Sequence, residues 1–143
     1  METDPLIIAG KAYNSRLLVG TGKYSSEKQA LEAIKASNSE IVTVAIRRVE
    51  LDSKNRSDSI LNYITPEKYK ILPNTAGCFS AKEAIRIACL GRELLNGENL
   101  IKLEVLKDKE TLLPLMKETV VAAKELVSLD FEVMVYCLSL IHI

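Results

Sequence analysis

Five short apolar runs, separated by longer segments with helical periodicity, limit most strongly the folds open to this sequence. The runs recur roughly every 30 residues, the length of a strand–helix–strand unit. They occupy residues 16–20, 40–46, 69–73, 100–106 and 131–137. Runs of this length suit strands that are buried on both faces, as in parallel sheets. The alternation therefore predicts an α/β protein built of β-α-β units.

The segments between the runs predict three long helices and one short one. They cover residues 25–37, 57–64, 80–95 and 109–129. Ser80 and Glu83 match a capping box, in which two side chains satisfy the free backbone N–H groups at a helix start. Pro114 is compatible with the last helix if it lies in the first turn, where its missing N–H costs nothing.

Two architectures are built from such units, an open doubly wound sheet and a (β/α)8 TIM barrel. The doubly wound sheet commonly has a glycine-rich phosphate turn after its first strand. The turn here, residues 20–26, contains Gly20 and Gly22 but no third glycine at the required spacing, and it does not match a P-loop. Polar residues inside the strand-like runs favour the barrel, whose inward positions carry functional groups. We therefore expect a TIM-barrel protein with about five of the eight β-α units.

Lys102 and Glu104 interrupt an otherwise apolar run. Side chains two residues apart on a strand share a face, so both should point one way, with Ile101, Leu103 and Val105 on the other. Burial lowers the pKa of a lysine and exposes a nucleophilic amine for imine chemistry with a carbonyl compound. A structural ion pair, or a strand-end lysine that reaches water, would give the same pattern.

Composition excludes several function classes. The formal net charge is zero and 48% of the residues are hydrophobic, which gives no argument for nucleic acid or an anionic membrane surface as a partner. No apolar stretch approaches the roughly 20 residues that span a bilayer, and no secretory signal is visible. Three widely spaced cysteines and one histidine argue for reduced thiols in the cytoplasm and against a metal site.

The ordered motifs of the chain resemble those of bacterial and plastid thiazole synthase, the enzyme that builds the thiazole ring of thiamine. The stretches that carry the resemblance are SRLLVGTGKY (15–24), IVTVAIRRVE (41–50), ILPNTAGC (71–78), AKEAIRIACLGRELL (81–95), NLIKLEVL (99–106) and EVMVYC (132–137). They follow one another without a break, and their combination is specific although no single one is decisive. The resemblance implies a (β/α)8 barrel preceded by a hairpin around residues 6–16.

The resemblance also implies a chemistry. Lys102 would be the lysine that forms an imine with 1-deoxy-D-xylulose 5-phosphate, and Glu104 would be the nearby acid–base carboxylate. The family takes sulfur from the C-terminal thiocarboxylate of a small ubiquitin-like carrier protein, and carbon and nitrogen from dehydroglycine. It needs no cofactor for this imine chemistry, and we expect a homo-oligomer when the protein is complete.

For several other residues the sequence allows both a functional and a structural role. Arg47 and Arg48 are expected to end the second strand, where one could meet an anionic substrate or form a salt bridge. Asn74 and Thr75 follow the third strand and Lys23 the first, where barrel loops carry function, although turn formation is an equal alternative. Packing is the expected role of the cysteines Cys78, Cys89 and Cys137.

The chain departs from the family after Cys137. We expect residues 1–137 to form one partial barrel domain. The tail LSLIHI at 138–143 is apolar, whereas a loop that follows a barrel strand should be polar. Phosphate sites of such barrels commonly follow strands seven and eight, so the substrate-binding residues stay unknown. We expect the 143-residue chain by itself to be an aggregation-prone, inactive fragment. Another lysine-imine barrel, such as an aldolase-like lyase for sugar phosphates, remains an alternative.

Overall fold

The computed structural model describes residues 4–52 and 60–138. From residue 18 onwards strands and helices alternate as the sequence predicts. The strands are β1 (Leu6–Ile8), β2 (Lys11–Tyr13), β3 (Leu18–Gly20), β4 (Ile41–Ala45), β5 (Lys70–Asn74), β6 (Leu100–Leu103) and β7 (Glu132–Val135). The helices are α1 (Glu27–Ser37), α2 (Ile46–Asp52), α3 (Ala81–Leu94) and α4 (Met116–Ser128).

The strands β3 to β7 form one sheet in the order β3-β4-β5-β6-β7, which is also their order along the chain. Strand β3 pairs with β4, β5 with β6, and β6 with β7, all in parallel. A doubly wound sheet reverses its strand order at a switch point, whereas this one continues in a single direction. The order therefore confirms the prediction of a TIM-barrel architecture with about five β-α units.

The first two strands form the hairpin that the family resemblance implies. Strand β1 pairs antiparallel with β2, and Ala9 and Gly10 between them both have positive φ, at 54° and 69°. Two successive positive φ angles give the tight turn whose twist matches that of the flanking strands. The Glu40 carboxylate fixes the end of the hairpin, since it accepts hydrogen bonds from the backbone N–H groups of Asn14, at 2.5 Å, and Ser15, at 3.2 Å.

The chain divides into two compact units, Met1–Leu72 and Pro73–Ile143, with the boundary inside β5. In the first unit, α1 begins at the N-cap Ser26, whose side chain accepts from the Gln29 N–H, and ends at Asn38 in the left-handed region. The core of this unit comprises buried apolar residues of α1 and β4: Ala30, Ile34, Ile41, Val42 and Val44. The prediction of a helix over residues 25–37 is thus confirmed.

The end of the second predicted strand is different from expectation. Strand β4 stops at Ala45 and α2 starts at Ile46 without a loop, so the prediction that Arg47 and Arg48 end a strand is wrong. Arginine and glutamate are good helix formers, and Ile46 is fully buried, which anchors the first helical turn. Of the predicted helix 57–64, the described part forms only a 3-10 turn at Ile60–Asn62, and residues 57–59 lie outside the described ranges.

In the second unit, α3 starts as predicted. Ser80 is its N-cap and its side chain accepts from the Glu83 N–H, while the Glu83 carboxylate accepts from the Phe79 N–H at 3.1 Å. The core of this unit is formed by residues of α3, β6 and α4: Ala84, Ile87, Ala88, Leu100, Ile101, Leu103, Ala122 and Leu126. The helices thus cover the apolar side of the strand on which Lys102 lies.

Helix α4 starts at Met116, seven residues later than the predicted start at Lys109. The Asp108 carboxylate accepts from the backbone N–H groups of Glu110 and Thr111 and thereby holds this segment in a turn. Pro114 bridges antiparallel to Leu106 instead of lying in a helical turn. Because an aspartate bonded to its own following N–H groups competes with helix formation, the helical periodicity before residue 116 was misleading.

No helix within residues 4–52 and 60–138 has the length and apolarity needed to cross a membrane.

Candidate functional site at the carboxyl end of β6

Lys102 and Glu104 lie on one side of the chain at the end of β6. Both are partly exposed, whereas Ile101, Leu103 and Val105 are fully buried on the opposite side. This alternation agrees with the prediction from the sequence, and it continues past Leu103, where the strand itself ends. The two polar side chains therefore emerge together at the carboxyl end of a parallel strand, the end that carries function in (β/α)8 barrels.

The two side chains form an ion pair. Lys102 Nζ lies 3.2 Å from Glu104 Oε1, and the side chains are 36% and 15% exposed. Of the alternatives that the sequence left open, this geometry matches an ion pair and a strand-end lysine that reaches water, because Lys102 is the penultimate residue of its strand and is partly exposed. An amine that water and small molecules can reach, with a carboxylate at hydrogen-bond distance, is suited to exchange protons during attack on a carbonyl compound.

Asn74 and Thr75 stand beside this pair. Asn74 ends β5 in register with Lys102, and its side-chain oxygen accepts from the Ala76 N–H at 3.1 Å, which turns the chain away from the sheet. The Thr75 N–H donates to the Lys102 carbonyl at 3.2 Å. The Thr75 hydroxyl accepts from the Glu104 N–H and donates to the Glu104 carbonyl, both at 2.8 Å. The sequence had placed these residues at a strand end but could not identify their partners.

The three cysteines differ in burial. Cys78 is fully buried, as predicted, and its carbonyl accepts from the Leu106 N–H at 2.8 Å. Cys89 and Cys137 are only partly exposed, and Cys137 lies two residues after the end of β7. Within the described ranges no three histidine, cysteine or acidic side chains are grouped so that they could hold a metal ion.

A separate cavity of about 240 Å³ lies within the first unit, at the carboxyl ends of β3 and β4. Its lining includes Thr21, Tyr24, Glu27 and Arg48. The Arg48 guanidinium rests against Gly22 so closely that a Cβ at that position would collide with it. Lys23 is exposed, with a positive φ of 69°. Opposite charges line the cavity, the carboxylate of Glu27 and the guanidinium of Arg48, and its described lining contains no lysine.

Comparison with known proteins agrees with the resemblance that the motifs carry. Residues 7–141 match the family model described as thiazole biosynthesis protein ThiG. The chain is 56% identical over 134 residues to the thiazole synthase of Methylobacillus flagellatus, covering 94% of this chain and 52% of that protein. It is 54% identical over 136 residues to the thiazole synthase of Acinetobacter baumannii strain AYE, covering 95% and 52%. The chain thus spans about half the length of these relatives.

The fold also has a match among solved structures. The crystal structure of the Amycolatopsis orientalis BexX/CysO complex contains a chain that superposes with a TM-score of 0.71 over 93% of this chain and 54% of that one, at 23% identity. At this identity the match supports the fold alone. The sequence motifs, the single-direction parallel sheet and the matched family model lead to one conclusion: the chain belongs to the thiazole biosynthesis protein ThiG family.

Proposed function

We propose that this chain carries the imine-forming half of a thiazole synthase. Its substrate would be 1-deoxy-D-xylulose 5-phosphate, and the product would be the phosphorylated thiazole of thiamine. The observation that carries the proposal is the 3.2 Å separation of Lys102 Nζ from Glu104 Oε1 at an accessible strand end. Membership in the ThiG family supplies the reaction class.

The geometry supports the following course of imine formation. The deprotonated form of the Lys102 amine adds to the substrate ketone, so that a C–N bond forms as the C=O π bond breaks. Glu104 then carries two protons in turn from the nitrogen to the substrate oxygen: the first gives the carbinolamine, and the second lets the C–O bond break with loss of water. The carboxylate ends the cycle unchanged. Positioned acid–base groups of this kind contribute roughly 10²- to 10⁴-fold to the rate.

The remaining reactants follow from family membership. Sulfur would come from the C-terminal thiocarboxylate of a ubiquitin-like carrier protein, and carbon and nitrogen from dehydroglycine. The similar fold in the BexX/CysO complex is compatible with a protein partner. We further propose a cytoplasmic enzyme that forms a homo-oligomer over its full length, with the substrate phosphate bound outside the region described above.

The test is borohydride trapping. A version of the chain extended to the full length of its relatives is incubated with 1-deoxy-D-xylulose 5-phosphate, the imine is reduced, and labelled peptides are identified by mass spectrometry. We expect the sugar at Lys102 and no label in Lys102→Ala. Lys107→Ala is the matched control, because Lys107 is exposed and lies only five residues further along the chain.

Two results would contradict the proposal. Label that persists in Lys102→Ala would assign the imine to another lysine. Equal trapping of keto sugar phosphates that lack the 1-deoxy group would favour an aldolase-like lyase over a thiazole synthase.

A further inference from the structure

We propose that Thr75 is a positioning residue, whose hydroxyl fixes Glu104 at the distance from Lys102 that proton transfer requires. The inference rests on the proposed imine chemistry and extends it to a side chain that does not itself meet the substrate. It is carried by hydrogen bonds within the second unit alone.

The Thr75 hydroxyl bonds to backbone groups of Glu104 at the point where the regular hydrogen bonds between the strands end. Strand β5 ends at Asn74 and β6 ends at Leu103, so regular ladder bonds stop just before Glu104. At that point both backbone groups of Glu104 bond to the Thr75 Oγ1, the N–H as donor and the carbonyl as acceptor, at 2.8 Å each. A hydroxyl can do both at once because it has one hydrogen and two lone pairs.

Thr75 also bonds to the backbone of Lys102, through its own N–H group. The Thr75 N–H donates to the Lys102 carbonyl at 3.2 Å, so one residue binds the backbone on either side of Leu103. Thr75 is fully buried, which shields these bonds from competition with water. With both backbones fixed, the freedom left to the Lys102–Glu104 pair is that of the side chains alone, and a 15% exposed Glu104 side chain retains little of it.

A second buried threonine serves as a matched control. Thr119 in the first turn of α4 is 1% exposed, and its hydroxyl donates to the carbonyl of the N-cap residue Leu115 at 3.0 Å. Replacing either threonine by valine removes one buried hydroxyl and keeps the side-chain shape. The two changes therefore perturb the packing of the same unit in a similar way, but only one touches the backbone of Glu104.

The experiment measures the rate of borohydride-trapped labelling at Lys102 with 1-deoxy-D-xylulose 5-phosphate in the full-length version. We expect Thr75→Val to lower the maximal rate by about ten- to 10²-fold, the range that small misplacements of reacting groups produce. The substrate concentration at half-saturation should stay nearly constant. Thr75→Ser keeps the hydroxyl and should label within about threefold of the unchanged protein, as should Thr119→Val.

A double-mutant cycle tests whether Thr75 changes the labelling rate through Glu104. If Thr75 acts through Glu104, then Thr75→Val should slow labelling by less than about twofold in a Glu104→Gln background, because coupled residues are not additive. A full additional loss in that background would overturn the positioning role. So would normal labelling by Thr75→Val, or an equal loss in Thr119→Val.

The outcomes separate the two proposals. An unlabelled Lys102 in the unchanged protein rejects the imine chemistry and the positioning role together. A labelled Lys102 whose rate does not depend on the Thr75 hydroxyl rejects the positioning role alone. If Thr75→Val does not fold, Thr75→Ala and Thr75→Ser are compared: normal labelling by a folded Thr75→Ala contradicts the proposal, and slow labelling by Thr75→Ala with normal labelling by Thr75→Ser supports it.

Discussion

The carboxyl ends of β4 and β6 have similar sequences but different structures. Each is an apolar strand with two charged residues near its end, Arg47 and Arg48 shortly after β4, and Lys102 and Glu104 at the end of β6. After β4 the fully buried Ile46 starts α2 directly, and Arg47 and Arg48 lie on a helix. After β6 the chain stays extended, since the Leu106 N–H donates to the Cys78 carbonyl and the Leu115 N–H donates to the Val105 carbonyl, both at 2.8 Å.

The difference shows what keeps a pair of polar residues on one face. In an extended chain alternate residues share a side, and this holds for Lys102 and Glu104 because the segment after Leu103 is tied to its neighbours. In a helix each residue rotates by roughly 100°, so residues two apart, which share a side in a strand, point in nearly opposite directions. A strand end becomes a candidate site when tertiary hydrogen bonds prevent the next residues from entering a helix.

The largest expected effect is on the rate of imine trapping, and it distinguishes the end of β6 from the end of β4. Glu104→Gln removes the proton acceptor beside Lys102 and should slow imine trapping by about 10²- to 10⁴-fold. Arg48→Gln, at the end of β4, should change the rate by less than about threefold. Glu93→Gln on the exposed face of α3 controls for the loss of one carboxylate. An equal loss in Arg48→Gln would remove the functional distinction between the two ends.

The next prediction tests whether the apolar sides of the two strands are equivalent. Ile41 in β4 and Ile101 in β6 are 1% and 0% exposed. Replacing either by alanine leaves a cavity and should lower the free energy of unfolding by about 2–5 kcal/mol. Urea denaturation followed by circular dichroism measures both. A loss below about 1 kcal/mol at one strand only would indicate that its core is less tightly packed.

A smaller effect is expected at the β4 end. In Gly22→Ala the new methyl group would collide with the Arg48 guanidinium, which is the far end of a flexible, exposed side chain that can swing away. The free energy of unfolding should therefore change by less than about 0.5 kcal/mol, as for most surface substitutions. Thermal unfolding provides the measurement. A large destabilisation would mean that the Arg48 position is fixed as firmly as that of Glu104.

The smallest effect concerns a carboxylate with a structural role. Hydrogen bonds from the backbone N–H groups of Ser15 and Asn14 lower the pKa of Glu40 below its ordinary 4.5. A lowered carboxyl pKa contributes stability above pH 4.5, and that contribution is lost as the pH falls through the folded-state pKa. Amide chemical shifts of Asn14 and Ser15 should titrate with a midpoint below 4.5, and Glu40→Gln should abolish the titration. A midpoint at or above 4.5 would contradict the assignment.

Much of this molecule follows from local sequence patterns. The strands, the start of α3 at Ser80 and the shared side of Lys102 and Glu104 depend on spacing between near neighbours, which the sequence displays directly. The failures also have local causes. Asp108 bonds to the N–H groups that follow it and delays α4, and the buried Ile46 converts an expected strand end into a helix start.

The sequence by itself determined the order of strands and helices, the family and the lysine–glutamate pair, because each depends on residue types at short spacing. Tertiary structure decided how exposed Lys102 is and what holds Glu104. Thr75 and Glu104 are 29 residues apart in the chain, and their hydrogen bonds exist only once β5 and β6 lie side by side. A contact of that kind leaves no periodicity in the sequence, since its partners are chosen by the pairing of strands and not by their neighbours along the chain.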